Sequence, residues 1–331
     1  MIENEFELIA RLRSKLPSNS SSVILGIGDD TAVLKPLQGR PLLTVDSLVE
    51  GIHFDFSLSA PEEVGHKALA VNLSDIAAMG GVPRACLISL GVPPQVKLEV
   101  LEKIYEGLGK LARNSSVDVV GGNIAKSPER MFLSISVLGT ADDSPITRSG
   151  AKKGDVVFLS GPVGESAAGL AVLKKLGQNA RSKYPELTKK HLTPEPQLKC
   201  GQVLASSRSV NCLIDVSDGL SSELWHLAKA SGVGIVIREE SLPISEELAA
   251  AGMECGETPK NWMLSGGEDY VLLGTVEAKH WPGLLQRANE AACPLFKIGE
   301  VDSDSVGISL VTLEGHKESI SPSGWNHFKA K

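Results

Sequence analysis

A chain of 331 residues, 42% hydrophobic and 22% charged, has the composition of a globular protein with a sizeable core and length enough for two domains. Its formal net charge of −7 argues against a general nucleic-acid or membrane-surface binder, because such partners need a basic stripe and phosphates are repelled unless a cation intervenes. No apolar run approaches the ~20 residues of a membrane span, and acids stand where a signal peptide has basic residues, so a cytoplasmic protein is expected. The cysteines Cys86, Cys200, Cys212, Cys255 and Cys293 are scattered, odd in number and without a CxxC pair, so neither a disulfide framework nor a zinc knuckle is expected.

Phe6, Ile9, Leu12 and Leu16 recur at helical spacing and predict an amphipathic helix at the start. Short β-like runs at 42–48, 84–92 and 131–141 then alternate with helical ones at 61–79 and 96–112. In the last strand Leu133, Ile135 and Val137 share one face and Ser134 and Ser136 the other, which predicts a sheet with one buried face. The polar, breaker-rich stretch 142–154 places a boundary between a first domain, residues 1–147, and a second, residues 148–331. In the second half, 155–160 and 270–276 read as strands, and 164–176 and 220–230 as helices. The charged segment 177–197, with Pro185, Pro194 and Pro196, reads as a surface excursion.

Five acidic patches lie beside glycine, serine or a β-like run: GIGDD at 26–30, TVDS around Asp46, NLSD ending at Asp75, DVSDG at 215–219, and SGGED ending at Asp269. Such groups suit Mg²⁺, which binds through a few carboxylates together with a substrate's phosphates. Asp75 is the only charged residue between Lys67 and Arg84 in a helical stretch of Ala, Leu, Val, Ile and Met. A buried carboxylate there needs a cation or good hydrogen bonds; the alternatives are a solvent-facing position or a pair with Lys67 or Arg84. Asp46 interrupts an apolar run that disfavours Asp in a strand, although an edge strand with Asp facing water accounts for it equally well. Asp29 and Asp30 follow two glycines, where turns often carry Asp for local bonding. Asp218 precedes a helix, where it serves as an N-cap or joins Asp215 in a phosphate and metal site, and both roles can coexist.

Other chemistries lack their residues. The sequence has no P-loop, no kinase-type glycine loop with its HRD partner, and no GxSxG or HExxH. His226 and His280 stand alone.

Taken in order, GIGDDTAVL, TVDSLVEGIHF, KALAVNLSDIAAMGG, VVGGN, ITRSGAKKGD, GESAAGL, IDVSDGL, SGGEDY and GWNHF resemble the thiamine-monophosphate kinase family from Phe6 to Phe328. That family belongs to the superfamily of aminoimidazole-ribonucleotide synthetase and selenophosphate synthetase. The resemblance implies a mixed α/β, two-domain fold of the α+β class with a C-terminal α+β domain, and a homodimer joined through the N-terminal sheets. It also implies ATP-dependent conversion of thiamine monophosphate to thiamine diphosphate with several Mg²⁺ ions. Carried over by position, Asp30, Thr44, Val45, Asp46, Asp75, Asn123, Asp215 and Asp218 are the implied metal ligands. Tyr105, Gly122, Asn123, Arg148 and Ser217 are the implied ATP contacts, and His53, Glu268 and Trp325 lie on the acceptor side. Asp30, Asp75, Asp215 and Arg148 would serve the transfer itself.

Two positions depart from the family pattern. Asn123 stands where many relatives have Asp, and Val45 stands in a Thr-Val-Asp run where many have Ser-Thr-Asp, so Val45 can offer only its carbonyl. Aminoimidazole-ribonucleotide synthetase is the competing enzyme reading. A nucleotide sensor that binds without turnover is the competing reading of another class.

Overall fold

The structure is a computed structural model that describes residues 5–142, 144–325 and 328, so Asn326 and His327 of the terminal GWNHF motif lie outside the described residues. The chain forms two compact units. The first runs to Ile76, resumes at Gly81, ends before Ser144 and takes in Leu192–Pro194; the second holds Ala77–Gly80, Ser144–His191 and the chain from Glu195.

The first unit contains α1 (Glu5–Arg13), the small strands β1 (Val23–Leu25) and β2 (Val33–Leu34), β3 (Arg40–Val49), α2 (Pro61–Ala78), β4 (Val82–Val92), α3 (Leu98–Asn114), β5 (Asp118–Lys126) and β6 (Phe132–Ala141). Its main sheet has the order β3-β6-β4-β5, antiparallel except for the parallel β4/β5 pair. The period-two pattern of β6 is realised: Leu133, Ile135 and Val137 are almost fully buried. Leu69, Leu73 and Ile76 of α2 and Leu101, Ile104 and Leu108 of α3 are buried as well. The two helices approach closely at Gly65 and Gly107, where an added Cβ would run into the carbonyls of Ile104 and Glu62. A helix this apolar on most sides is held by packing, which makes an acid on it conspicuous. The opposite face of the sheet exposes Leu43 (78%), Val45 (58%) and Leu87 (48%), paired across strands with Leu138, Ser136 and Ser136.

The second unit contains β7 (Asp155–Leu159), α4 (Glu165–Leu176), α5 (Ala180–Lys183), α6 (Pro185–Leu192), α7 (Leu198–Ser207), β8 (Val210–Asp215), α8 (Leu220–Ser231), β9 (Gly234–Arg238), α9 (Glu246–Cys255), α10 (Pro259–Ser265), β10 (Leu272–Glu277), α11 (Trp281–Glu290), β11 (Phe296–Ser303), β12 (Gly307–Val311) and β13 (Lys317–Ser319). A seven-stranded sheet runs β13-β12-β9-β11-β7-β10-β8, antiparallel except for β9/β12, so the protein is mixed α+β.

Two expectations are corrected here. Residues 177–197 are not a surface excursion: Ala180, Tyr184, Leu187 and His191 recur at steps of four and three and are all buried, on two short helices and, for Tyr184, at the junction between them. Pro185 is the first residue of α6, where its missing N–H costs nothing, and Pro194 and Pro196 follow the helix end. The cysteines are also not all unpaired. Cys200 on α7 and Cys293 after α11 form a disulfide across 93 residues, with Cα atoms 5.4 Å apart. Both sit in one buried cluster with Phe158, Leu204 and Leu284, a proximity that sequence spacing does not encode.

Candidate active site

In the first unit, alternation along β3 turns Thr44 and Asp46 toward α2 and leaves Val45 on the exposed face. The Thr44 hydroxyl donates to Asp75 Oδ2, joining residues 31 apart in sequence. One turn earlier on α2, the fully buried Asn72 accepts the Asp46 N–H through Oδ1 (2.9 Å) and donates to the Ala68 carbonyl (3.0 Å). Asn72 thereby fastens the open edge of β3 to the helix that carries Asp75. Because peptide groups of successive strand residues point to alternate sides, the Val45 carbonyl faces β6 rather than this edge. Arg84 donates to Thr140 Oγ1 (3.0 Å).

His53 follows the turn after β3. Its Nδ1 accepts the Val49 N–H (3.1 Å), so the neutral ring carries its proton on Nε2, and the buried Lys67 ammonium donates to the His53 carbonyl (3.3 Å). Tyr105, Gly122 and Asn123 come together in a pocket lined also by Leu12, Arg13 and Ile27. Burial pushes the Tyr105 phenol well above its ordinary range, so it stays neutral. At Gly122 an added Cβ would meet the Ile88 carbonyl, which explains a glycine inside β5. Asp30 lies exposed in the 26–30 loop, with its N–H donating to Asp29 Oδ1 (2.9 Å).

In the second unit, β8 ends at the buried Asp215 and the chain turns through Ser217 and Asp218 into α8. The 265–270 segment packs against this turn: the Glu268 N–H donates to the Ser217 carbonyl (2.7 Å) and the Tyr270 N–H to the Val216 carbonyl (2.8 Å). Glu268 (φ 67°) and Tyr270 (φ 51°) both adopt left-handed backbone, a cost that structures retain chiefly where function requires it. The strand expected from 270 therefore begins at Leu272. The C-terminal segment lies on the same corner. Trp325 N–H donates to the Asp218 carbonyl (2.9 Å), Gly324 N–H to Ser222 Oγ (3.1 Å) and Ser323 N–H to Ser221 Oγ (3.2 Å). At 47% exposure the Trp325 side chain is not part of the core. Asp215, Ser217, Asp218, Glu268 and Trp325 are thus gathered at one place. Thr147, next to Arg148, accepts the Leu213 N–H of β8 (3.0 Å). Burial first, and then the Arg148 charge, hold His226 of α8 below its ordinary range.

Sequence reading missed three supports. Glu223 in α8 is 2% exposed; its Oε1 accepts from the Asp218 N–H, while its Oε2 is buried without a hydrogen-bond partner. An unsatisfied buried oxygen costs about 1–3 kcal/mol. Burial pushes this carboxyl up to about 7, and the charges of Asp218 and Asp215 add to the shift. His191 bonds Ser166 Oγ (3.1 Å) and lies 3.4 Å from Glu268 Oε2. Asp269 accepts from Gly164 N–H (2.6 Å) and Ser166 N–H (3.0 Å) at the start of α4. Only Asp269 carried a signal, as the end of an acidic patch; Glu223 reads as an ordinary acid in a helix's first turn.

Burial pushes the Asp269 carboxyl from 3.8 up to about 7 against the pull of those two N–H groups. Between about pH 4 and 7 the native state holds a proton that the unfolded chain has released, so this group's contribution to stability falls as pH rises and is level above the window. Asp269→Asn should remove that slope. Urea unfolding at pH 5 and pH 8 is expected to show the wild type losing stability relative to Asp269→Asn; parallel profiles would contradict the protonated carboxyl.

Among the described residues no group of three or more His, Cys, Asp or Glu side chains is close enough to hold a metal ion. This is compatible with Mg²⁺, which keeps several waters and leans on substrate phosphates instead of a complete protein cage. Each unit by itself holds oxygens of the kind that ion takes: Thr44 and Asp75 as hard-oxygen neighbours in the first, and in the second the buried partnerless Glu223 Oε2 near Asp215 and Asp218.

Residues 28–141 match the family profile of the AIR synthase related protein, N-terminal domain, and residues 152–311 that of the AIR synthase related protein, C-terminal domain. The fold is therefore that of the AIR synthase-related proteins. The chain is 37% identical over 330 residues to the thiamine-monophosphate kinase of Bacillus subtilis, covering 98% of this chain and 100% of the relative. The solved thiamine-monophosphate kinase of Stenotrophomonas maltophilia superposes with a TM-score of 0.82 at 31% identity, over 92% of this chain and 96% of that one. AaThiL complexed with AMPPCP and TMP superposes with a TM-score of 0.78 at 36% identity, over 98% and 97%. The chain belongs to the thiamine-monophosphate kinase family.

Proposed function

We propose that this enzyme transfers the γ-phosphoryl group of ATP directly, in line, to the phosphate of thiamine monophosphate, giving thiamine diphosphate. The observation that carries the reading is the likeness along nearly the whole chain to AaThiL complexed with AMPPCP and TMP. The acceptor is itself a phosphate, ionised near neutral pH, so no general base is needed to create a nucleophile, in keeping with a sequence that holds no catalytic triad. Catalysis then rests on positioning and charge neutralisation. Mg²⁺, when bound, would neutralise the phosphate oxygens and let two anions approach.

In this reading Asp30, Thr44, Asp46, Asp75, Asn123, Asp215 and Asp218 hold the metal ions. Val45, with its carbonyl turned to β6, adds no ligand here, and Asn123 supplies an oxygen without the negative charge of Asp. Tyr105, Gly122, Asn123, Arg148 and Ser217 hold the nucleotide, with Arg148 a fixed positive charge. His53, with its proton on Nε2, can donate to an anionic acceptor. The apolar exposed face with Leu43, Val45 and Leu87 supports a homodimer closed through the first-unit sheet. No helix among the described residues is long and apolar enough to cross a membrane.

Trp325, exposed yet tethered to the Asp218 turn, suits stacking on the thiamine rings and attraction of the thiazolium cation. Such a contact is worth roughly 0.5–2 kcal/mol, so Trp325→Ala should raise the KM for thiamine monophosphate roughly two- to thirtyfold with kcat little changed. An unchanged KM would remove Trp325 from the acceptor site. The reaction itself is tested by incubating purified protein with ATP, Mg²⁺ and either thiamine monophosphate or thiamine, and following thiamine diphosphate by chromatography. Product from the monophosphate alone supports the assignment. Nucleotide binding with no product from either would favour the non-catalytic sensor.

A further inference from the structure

Three donors converge on Glu223 Oε1: the Ser217 N–H (3.3 Å), the Ser217 hydroxyl (3.2 Å) and the Asp218 N–H (3.0 Å). Both amides lie ahead of Leu220, the first residue of α8. Consecutive N–H groups in a turn, together with a hydroxyl, ordinarily suit an anion. Here the two that precede α8 are already satisfied by a carboxylate.

The Ser217 hydroxyl has a single proton, and the geometry directs it at Glu223 Oε1. With that proton directed at Glu223, Ser217 Oγ presents lone pairs outward and has nothing to donate to a phosphate oxygen. The corner therefore offers a hydroxyl acceptor between the chain positions of Asp215 and Asp218, with the Glu223 carboxyl behind it. A helix cap alone would require only an acceptor for the amides, which a neutral Gln side chain supplies equally well. It would require neither the hydroxyl contact nor the partnerless Oε2 beside two further acids.

We infer that Glu223 is a positioning residue that occupies the donors of the Ser217–Asp218 turn, which would otherwise suit an anion, and leaves a cation-facing corner, which takes the divalent cation of a metal–nucleotide complex with Ser217 Oγ as acceptor. This rests on the nucleotide-dependent reaction proposed above and assigns Ser217 to the metal side of the nucleotide instead of a direct donor contact to phosphate. Glu223 acts through Ser217 and Asp218 and touches no reacting atom.

The test uses Glu223→Gln in the full chain. Gln keeps an acceptor for the two amides and removes the charge, with its NH₂ in place of the partnerless Oε2. The measurement is the Mg²⁺ concentration that gives half-maximal binding of AMPPCP, followed by calorimetry and by the rise in Tm. Glu223→Gln is expected to raise that midpoint roughly five- to tenfold, with the Tm of the ligand-free protein unchanged or higher. A midpoint within twofold of wild type would reduce Glu223 to a helix cap and overturn the inference. Glu223→Ala should shift the midpoint further and also lower the ligand-free Tm; if it does not fold, Glu223→Gln alone decides. Wild type assayed in parallel for thiamine diphosphate separates the two readings: binding of Mg²⁺ and AMPPCP without product defeats the proposed reaction and leaves Glu223 to the midpoint shift. Absence of any Mg²⁺-dependent AMPPCP binding by wild type defeats both.

Discussion

Asp75→Asn is expected to lower kcat by roughly 10²–10³-fold while the protein stays folded. Asn has the size of Asp and keeps an oxygen that can accept the Thr44 hydroxyl, so the contact between β3 and α2 survives in a weaker, uncharged form. The loss to stability is then that of a charge-assisted bond replaced by a neutral one, about 1 kcal/mol or less. Part of it is offset because a carboxylate no longer has to sit on an otherwise apolar helix. A transition state that gathers phosphate charge has no such compensation: an amide oxygen lacks the net charge that holds a divalent cation in place. Thermal unfolding and turnover should therefore separate, with Tm nearly unchanged and kcat collapsed. A folded Asp75→Asn protein that turns over at close to the wild-type rate in saturating Mg²⁺ would remove Asp75 from the metal set.

Removal of divalent cations is expected to abolish turnover, and Mg²⁺ added back should restore it. ATP and thiamine monophosphate are both anions and the chain itself carries −7. Two unit charges 4 Å apart repel by about 4 kcal/mol at an effective dielectric constant of 20, and the reacting phosphates bring several such pairs. In the proposed reading Arg148 would supply one fixed positive charge against this, which could not balance the substrates together with Asp30, Asp46, Asp75, Asp215 and Asp218. The same reasoning predicts that AMPPCP stabilises the protein against heat far better with Mg²⁺ than with EDTA, because only the metal complex is drawn to the acids. Turnover that persists in excess chelator would refute the metal assignment and leave charge neutralisation to Arg148. Loss of turnover with full recovery on Mg²⁺ would support it.

Much of the fold was legible where one physical period governed. Leu133, Ile135 and Val137 could be placed on the buried face of β6 because a strand alternates strictly, and α2 and α3 largely coincide with the helical runs 61–79 and 96–112. The reading failed where local signals competed. Pro185 and its charged neighbours outweighed Ala180, Tyr184 and Leu187, although a proline at a helix's first turn is permitted, and so buried helices were taken for surface. β5 was missed because Gly121 and Gly122 weaken strand character; its close approach to β4 requires a residue without a side chain. The pairing of Cys200 with Cys293 depends on α7 and the turn after α11 meeting in space, and no spacing rule reaches across 93 residues.

For the candidate site the division is similar. The ordered motifs, read as a set, were enough to point to the family, since several independent short patterns agreed along the chain. The amino-acid sequence by itself also determined which residues carry charge, which positions alternate, and that Asp75 interrupts an apolar helix. Only the tertiary structure decided that Thr44 reaches Asp75, that Trp325 is tied to the Asp218 turn, and that Glu223 accepts the Ser217 hydroxyl. The reason is physical: periodicity reports which face of an element is apolar. Which polar groups meet is set by sheet order, helix crossings and the path of the C-terminal segment, and each of these depends on the packing of the chain as a whole.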